Sequence, residues 1–385
     1  MTKLVVQVYA PDVLKIGGHE KVVRNLSLKL TKRNIKALIL HSGVKKRWNK
    51  INIIRVPSIC LSNRFIFPIK QKNLINELRK ASVIHVHCPD NPFAFLSTIL
   101  AKIIGKPVIV TILCYLGDLY HHRKVMRILS LFTFLMNTIA AILADAIHVE
   151  NLHDYIYLKK MCGKNKILVY SEPLFSDSLQ LKEIFNVKNE EYHKKIKKKK
   201  DEIWILFLGR LEKAKGIHML IKSLNWLDEH FKVIIAGPIQ DYKYYNYLKR
   251  SVKRNMHKRV FILGPLNNYY KHVMYSLCDV VVIPSLSDIV EAYSLVATEA
   301  WYYNKPVVAF PIGALVYRVK NGINGVLAAR KTPKCLAEAI KEAVKLNTRN
   351  IKCKKPKYYL DCIMIKIYNY LITKSETIKG RKDFD

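Results

Sequence analysis

The feature that most constrains this chain is an alternation that runs twice. Short, continuous runs of valine, isoleucine and leucine ("LVVQVYA", "IKALIL", "INIIRV", "SVIHVH", "KPVIVTIL", "DAIHVE", "KILVYS") are separated by stretches with helical periodicity. A lysine-dense segment, "NEEYHKKIKKKKDE" at residues 189–202, interrupts the pattern. The alternation then restarts with "EIWILFLG", "FKVIIAG", "RVFILG", "DVVVIPS" and "KPVVAFP". Continuous apolar strands between helices read as parallel sheets covered on both faces. The expectation is an α/β chain of two Rossmann-like, doubly wound domains facing each other across a cleft. The domains are placed at 1–185 and 203–355, with a basic linker at 186–202 and a basic helix or tail at 356–385 that can return to the first domain. A length of 385 residues accommodates two cores. In such sheets, ligands sit beyond the carboxyl ends of the strands.

Composition narrows the partners without choosing one. The formal charge of +37 favours something anionic: nucleic acid, acidic lipid or a phosphorylated ligand. The 8 cysteines are scattered without a CxxC pair, which points to a reducing compartment and away from structural zinc. The N-terminus enters a strand directly, so no signal peptide is expected and the chain is placed in the cytoplasm. "ILSLFTFLMNTIAAILADAI" is too short and too Thr-rich to read as a span, and a buried helix is expected there. The lysine block reads as a solvated connector.

Three loops carry polar residues in telling places. "FLGRLEKAKG" sets Gly209, Arg210, Lys213, Lys215 and Gly216 between a strand and a helix, an arrangement suited to phosphate or diphosphate. Gly237 and Gly264 each follow a strand, where backbone can approach a ligand closely or simply turn. "EAYSLVATEAWYYNKPVVAFPIG" spaces Glu291 and Glu299 around a helix start after the strand "DVVVIPS". Such carboxylates can accept hydrogen bonds from sugar hydroxyls, or form an acid/base pair if roughly 5–10 Å apart.

Taken in order, "GGHE", "GRLEKAKG", "PSLSDIVEAYSLVATEAWYYNKPVVA" and "NGINGVL" make the chain resemble the retaining GT-B glycosyltransferases of family 4. The resemblance implies a C-terminal domain that binds a nucleotide-diphosphate sugar and an N-terminal domain that selects a hydroxyl acceptor. It implies that Arg210 and Lys215 neutralise the diphosphate, Glu299 holds the ribose and Glu291 contacts the donor sugar. Gly17, Gly18, Gly209, Gly237, Gly264, Ser294, Leu295 and Val296 would complete the donor site. Family enzymes need no metal in the site, so neither metal nor other cofactor is expected, the nucleotide sugar being a substrate. The acceptor is expected to be a lipid-linked sugar or a growing glycan, with peripheral contact to the cytoplasmic face of an anionic membrane.

The chain also departs from the family pattern. Leu113 stands where members often carry a histidine, and Asp118, His121 and His122 are the nearby polar candidates on the acceptor side. Ala314 replaces the second glycine of a pair and Tyr317 an acidic residue. "YSEPLFSD" stands where "NGVD" is usual. His85 and His87 alternate along one strand and share a sheet face. His87, nearer the carboxyl end, is the acceptor candidate, against the reading of a hydrogen-bonded core histidine. The rivals are a sugar-nucleotide epimerase on the same fold and a basic nucleic-acid binder. No RNP strand, zinc-finger spacing or KH loop supports the latter, and no nucleic acid is expected.

Overall fold

The apolar runs become strands, and the turns between them are set by a few caps. A computed structural model of the chain describes residues 3–14, 18–43, 51–62, 65–113, 115, 124–162, 166–171, 198–252, 256–287, 291–351 and 360–382. They divide into two compact units, Met1–Leu174 with Pro356–Asp385, and Phe175–Lys355. The last described strand of the first unit ends at Tyr170, and the boundary expected at 185 lies outside the described residues.

The first unit runs β1 (Leu4–Tyr9), α1 (Gly18–Lys32), β2 (Lys36–His41), β3 (Asn52–Arg55), β4 (Ser58–Ser62), β5 (Phe65–Pro68) and α2 (Gln71–Arg79). It continues with β6 (Val83–His87), α3 (Pro92–Ile103), β7 (Val108–Ile112), α4 (Lys124–Leu143), β8 (Ala146–Val149), α5 (Leu152–Met161) and β9 (Ile167–Tyr170). Seven strands pair in parallel in the order β3-β2-β1-β6-β7-β8-β9. The chain leaves β1 toward β2 on one side and returns at β6 on the other, so the switch point lies between β1 and β6. Every residue of β6, β7 and β8 is buried, as continuous apolar strands require. Asn91 caps α3 by accepting from the Phe93 N–H, and Pro92 fills the first helical position.

The second unit runs β10 (Ile203–Leu208), a 3₁₀ turn at Lys213–Lys215, α6 (Ile217–Ser223), β11 (Phe231–Ala236), α7 (Tyr242–Ser251), β12 (Val260–Gly264) and α8 (Asn268–Leu277). It closes with β13 (Val280–Ile283), α9 (Leu295–Tyr302), β14 (Val307–Ala309), α10 (Leu315–Arg318), β15 (Gly325–Leu327) and α11 (Pro333–Ala343). Its six parallel strands are ordered β12-β11-β10-β13-β14-β15, placing the switch point between β10 and β13. The last helix, α12 (Leu360–Lys382), belongs to the first unit. There Met364, Tyr368, Leu371 and Ile372 pack with Val5, Leu26, Leu30, Val83 and Ile109. Each such buried side chain contributes about 1.5–3 kcal/mol.

Two features of the first unit differ from the sequence reading. β4 and β5 form an antiparallel hairpin with Ile59 opposite Phe67. Its face carrying Ile59, Leu61, Phe67 and Ile69 is exposed, while Ile66 on the other face is buried. α4 is not buried all round. Met136, Ala140 and Ala141 face the core, whereas Leu131, Phe132, Leu135 and Ile142 are exposed. Their spacing is that of one helix face, so the apolar run covers a core stripe and an open stripe together.

Candidate functional site

At the switch point of the second unit, two loops are drawn together by backbone that only glycine supplies. Gly216 ends the Lys213–Lys215 turn and opens α6 at φ +67°, and a Cβ there would lie 1.9 Å from the Pro284 carbonyl oxygen. The turn can therefore lie against the segment after β13, and the Leu286 N–H donates to the Ala214 carbonyl at 2.9 Å. One strand over, a Cβ on Gly237 would lie 1.8 Å from the Gly209 carbonyl oxygen. The Gly209 N–H donates to Ala236 and the Gly237 N–H to Gly264, so the three loop glycines sit in register along the carboxyl ends of β10, β11 and β12.

This approach delivers Lys215 to Glu291. The Nζ lies 2.8 Å from Glu291 Oε1, and the Ser285 hydroxyl donates to the same oxygen at 2.6 Å. Glu291 is 3% exposed. Burial pushes its carboxyl up, but the Lys215 ammonium and the hydrogen bonds from Lys215 and Ser285 outweigh this and hold it below the ordinary carboxylate value. Arg210 is arranged differently. Its guanidinium pairs with Glu212 at 3.0 Å and its side chain is 47% exposed. Of the three loop cations, Lys215 is thus buried on Glu291 and Arg210 lies open on its own loop.

Glu299 is held by α8. Lys271 and Tyr275 are one helical turn apart on that helix and so face the same way. Lys271 bonds Glu299 Oε1, and the Tyr275 hydroxyl donates to Oε2 at 2.8 Å. Burial and the neighbouring carboxylate push the Tyr275 hydroxyl well above its ordinary pKa, so it remains a donor. Neither the lysine nor the tyrosine was singled out from the sequence, although their spacing of four is legible there.

Ser294, just ahead of Leu295 and Val296, takes a left-handed conformation at φ 66°. Arg318 fixes this bend by donating to the carbonyls of Tyr293 and Ser294 and to the Thr298 hydroxyl. Its guanidinium lies 3.8 Å from the centroid of the Tyr293 ring. Ala314, in place of a glycine, has φ −65°, where alanine is unstrained, and its N–H donates to the Glu291 carbonyl at 2.9 Å.

On the first unit, Gly17, Asp118, His121 and His122 lie outside the described residues. Gly18 is the exposed first residue of α1. His87 ends β6, its ring tilted by 34° against that of His85 at 4.0 Å between centroids, so the pair shares a sheet face. His85 is satisfied on both nitrogens, by the Tyr368 hydroxyl and the Thr111 hydroxyl, each at 2.6 Å. Two residues the sequence reading passed over join this region. His19, the second residue of α1, has its Nδ1 3.7 Å from Oε1 of Glu150, which directly follows β8. A carboxylate immediately after a buried strand was the available signal. Among the described residues no group of three or more His, Cys, Asp and Glu side chains could hold a metal ion. None of the described helices is long and apolar enough to cross a membrane.

Comparison with known proteins adds three findings. Residues 188–359 match the family model of the group 1 glycosyl transferases. The chain is 38% identical over 141 residues to an uncharacterized glycosyltransferase, MJ1607, of Methanocaldococcus jannaschii, covering 36% of this chain and 34% of that protein. The curated relatives are thus matched over about a third of their length. Among solved structures, sucrose-phosphate synthase of Thermosynechococcus elongatus superposes with a TM-score of 0.72 at 17% identity, covering 97% of this chain and 100% of that one. HepE of Anabaena in complex with UDP-glucose gives 0.63 at 15% identity, covering 98% and 99%. The likeness establishes the fold: an α/β chain with two parallel sheets, of the GT-B class.

Proposed function

We propose that this chain is a glycosyltransferase that moves a sugar from a nucleotide-diphosphate sugar to a hydroxyl acceptor, with retention of configuration, as in family 4. The observation that carries the reading is the Lys215–Glu291–Ser285 cluster at the carboxyl ends of β10 and β13, inside the segment that matches the group 1 model. As the bond between the anomeric carbon and the phosphate oxygen breaks, negative charge grows on the diphosphate. Lys215 is held in place to receive it, and Arg210 is free to swing from Glu212 onto an outer oxygen. Glu291, kept ionised by Lys215, can accept hydrogen bonds from hydroxyls of the donor sugar. Glu299 is fixed by Tyr275 and can do the same for the ribose. Lysine and arginine carry the leaving-group charge in this scheme, so no metal ion is assigned to it.

HepE has been solved with UDP and with UDP-glucose, which supports a uridine nucleotide as the first donor to try. For the acceptor, we propose a lipid-linked sugar or growing glycan met at the cytoplasmic face of an anionic membrane. The charge of +37 and the exposed apolar faces of the β4–β5 hairpin and α4 support this. An epimerase on the same fold is not favoured, since the matched segment is a transferase model.

The test is a panel of UDP-, GDP- and ADP-sugars scored by nucleoside-diphosphate release, with membrane lipid extract present and with or without EDTA. One donor should turn over in both conditions and yield a glycosylated product. Glu291→Gln and Arg210→Ala should each reduce turnover by about 10²–10³-fold. Sugar isomerisation without transfer, or full turnover by Glu291→Gln, would overturn the reading.

A further inference from the structure

Buried polar groups in folded proteins are nearly always paired, so those left over are informative. Around β6 and β8, at the carboxyl side of the first unit's sheet, four histidines (His19, His85, His87 and His148) gather and divide into paired and unpaired. His85 is bonded by Tyr368 and Thr111, and His148 by Thr111 at 3.0 Å and Ser171 at 2.9 Å. His87 is bonded on one side only, and neither ring nitrogen of His19 has a hydrogen-bond partner among the described residues. Glu150 Oε1 is also unmet, and the residue is 5% exposed.

The state of His87 follows from its neighbours. Ser27 donates its proton to the Val23 carbonyl one turn back in α1, so its oxygen accepts from Gln7 Nε2. This turns Gln7 Oε1 toward His87 Nε2 at 3.0 Å, and an acceptor oxygen there requires the proton on Nε2. Nδ1 of His87 is therefore a bare lone pair in a residue 1% exposed.

The unmet groups belong to three elements, and His19 adjoins both of the others. The His19 ring lies 5.3 Å from that of His87, and its Nδ1 is 3.7 Å from Glu150 Oε1, beyond hydrogen-bond length. A single oxygen could touch both Nδ1 and Oε1 at ordinary distances of about 2.8 Å. Cys88, next after His87, has φ 56°, an uncommon left-handed conformation for a residue with a side chain, and such backbone clusters at binding sites.

We propose that His19, Nδ1 of His87 and Glu150 together receive one uncharged hydroxyl group, that of the acceptor in the transfer reaction proposed above, on which this inference rests. The chemistry favours a hydroxyl over an ion. Burial, with His148 nearby, pushes His19 down to about 3, and burial pushes Glu150 up to about 8, so both are neutral near pH 7. A neutral cluster offering a lone pair, a carboxylic acid and an imidazole both donates and accepts, as a polyol does. It offers an anion no compensating charge.

The test uses the full chain with ring-¹⁵N-labelled histidine, titrated with myo-inositol and methyl α-glucoside as neutral polyols and with inorganic phosphate as the anionic probe. His87 should appear as the Nε2–H tautomer. A polyol should shift the His19 and His87 ring nitrogens saturably and phosphate should not. Glu150→Gln should weaken the polyol response by roughly tenfold. If that variant loses the His85 signals of the folded unit, His19→Gln replaces it with the same expectation. No saturable shift with either polyol, an equal response to phosphate, or an unchanged affinity in the folded variant would overturn the proposal. UDP affinity, measured on the same sample, reports the transferase reading separately. Lost UDP binding with an intact polyol response would sink that reading and leave the hydroxyl site standing.

Discussion

Replacing Lys215 with methionine keeps most of the side-chain volume and removes the charge that Glu291 depends on. The pair is close at 2.8 Å, and its side chains are 16% and 3% exposed, so water screens it little. Removing one partner of such a buried pair costs about 3–5 kcal/mol, because the other charge is left uncompensated. The pH dependence has a definite sign. In the wild type the depressed pKa of Glu291 contributes stability that is present above the ordinary carboxylate value and lost as pH falls through the folded one. Without Lys215, burial acts with less opposition and raises that pKa, so the variant loses stability as pH rises through it. The gap between the two proteins should therefore widen from about pH 4 to pH 7. Urea unfolding followed by tryptophan fluorescence reads this, since three of the four tryptophans, Trp204, Trp226 and Trp301, belong to the second unit, and replacing Trp48 with phenylalanine removes the remaining signal. Lys215→Met/Glu291→Gln, which removes the stranded charge, should recover more than about 2 kcal/mol of the loss. A single variant that loses less than about 1 kcal/mol, with no recovery in the double, would mean the pair behaves as a surface bridge.

Other variants probe the scaffold around the site. Gly216→Ala sets a Cβ 1.9 Å from the Pro284 oxygen at φ +67°, and should cost at least about 2 kcal/mol in denaturation and weaken nucleotide binding by calorimetry. Tyr275→Phe removes the 2.8 Å bond to Glu299 and should cost about 1.5–3 kcal/mol by urea unfolding; an unchanged midpoint would show the hydroxyl holds nothing. Truncation before Leu360 strips Met364, Tyr368, Leu371 and Ile372 from the first unit's core, each worth about 1.5–3 kcal/mol against a domain stability of roughly 5–15 kcal/mol. The truncated chain should be found in the insoluble fraction, and a soluble product with wild-type unfolding would contradict the packing.

The sheets were legible because a strand buried on both faces shows as an uninterrupted apolar run. Strands such as "VIHVH" and "VIVTI" sit where that rule puts them. The hairpin of β4 and β5 was not read, because exposed Ile59, Leu61 and Phe67 break the inside-apolar assumption on which the reading rests. The open stripe of α4 escaped for the same reason: leucines facing outward look the same in sequence as leucines facing the core. In the second unit, Lys215 and Glu291 stood out because loop position after a strand carries information by itself, and Glu299 because it follows Glu291 at a fixed spacing inside the next helix. Their partners did not. Tyr275 acquires meaning only through its bond to Glu299, Ser285 through its bond to Glu291 and Arg318 through its bonds to the Tyr293 and Ser294 carbonyls, contacts made by the fold and not by local spacing. His19 and Glu150 come from elements three strands apart in the sheet order, and no local spacing connects them.

Whether Lys215 carries the leaving-group charge is decided by a crystal structure of the chain with a non-hydrolysable nucleotide-diphosphate sugar. A diphosphate oxygen should lie within about 3 Å of Lys215 Nζ, with Glu291 and Glu299 on hydroxyls of the sugar and the ribose. A nucleotide bound away from the ends of β10 and β13, with Lys215 still paired to Glu291 alone, would contradict it.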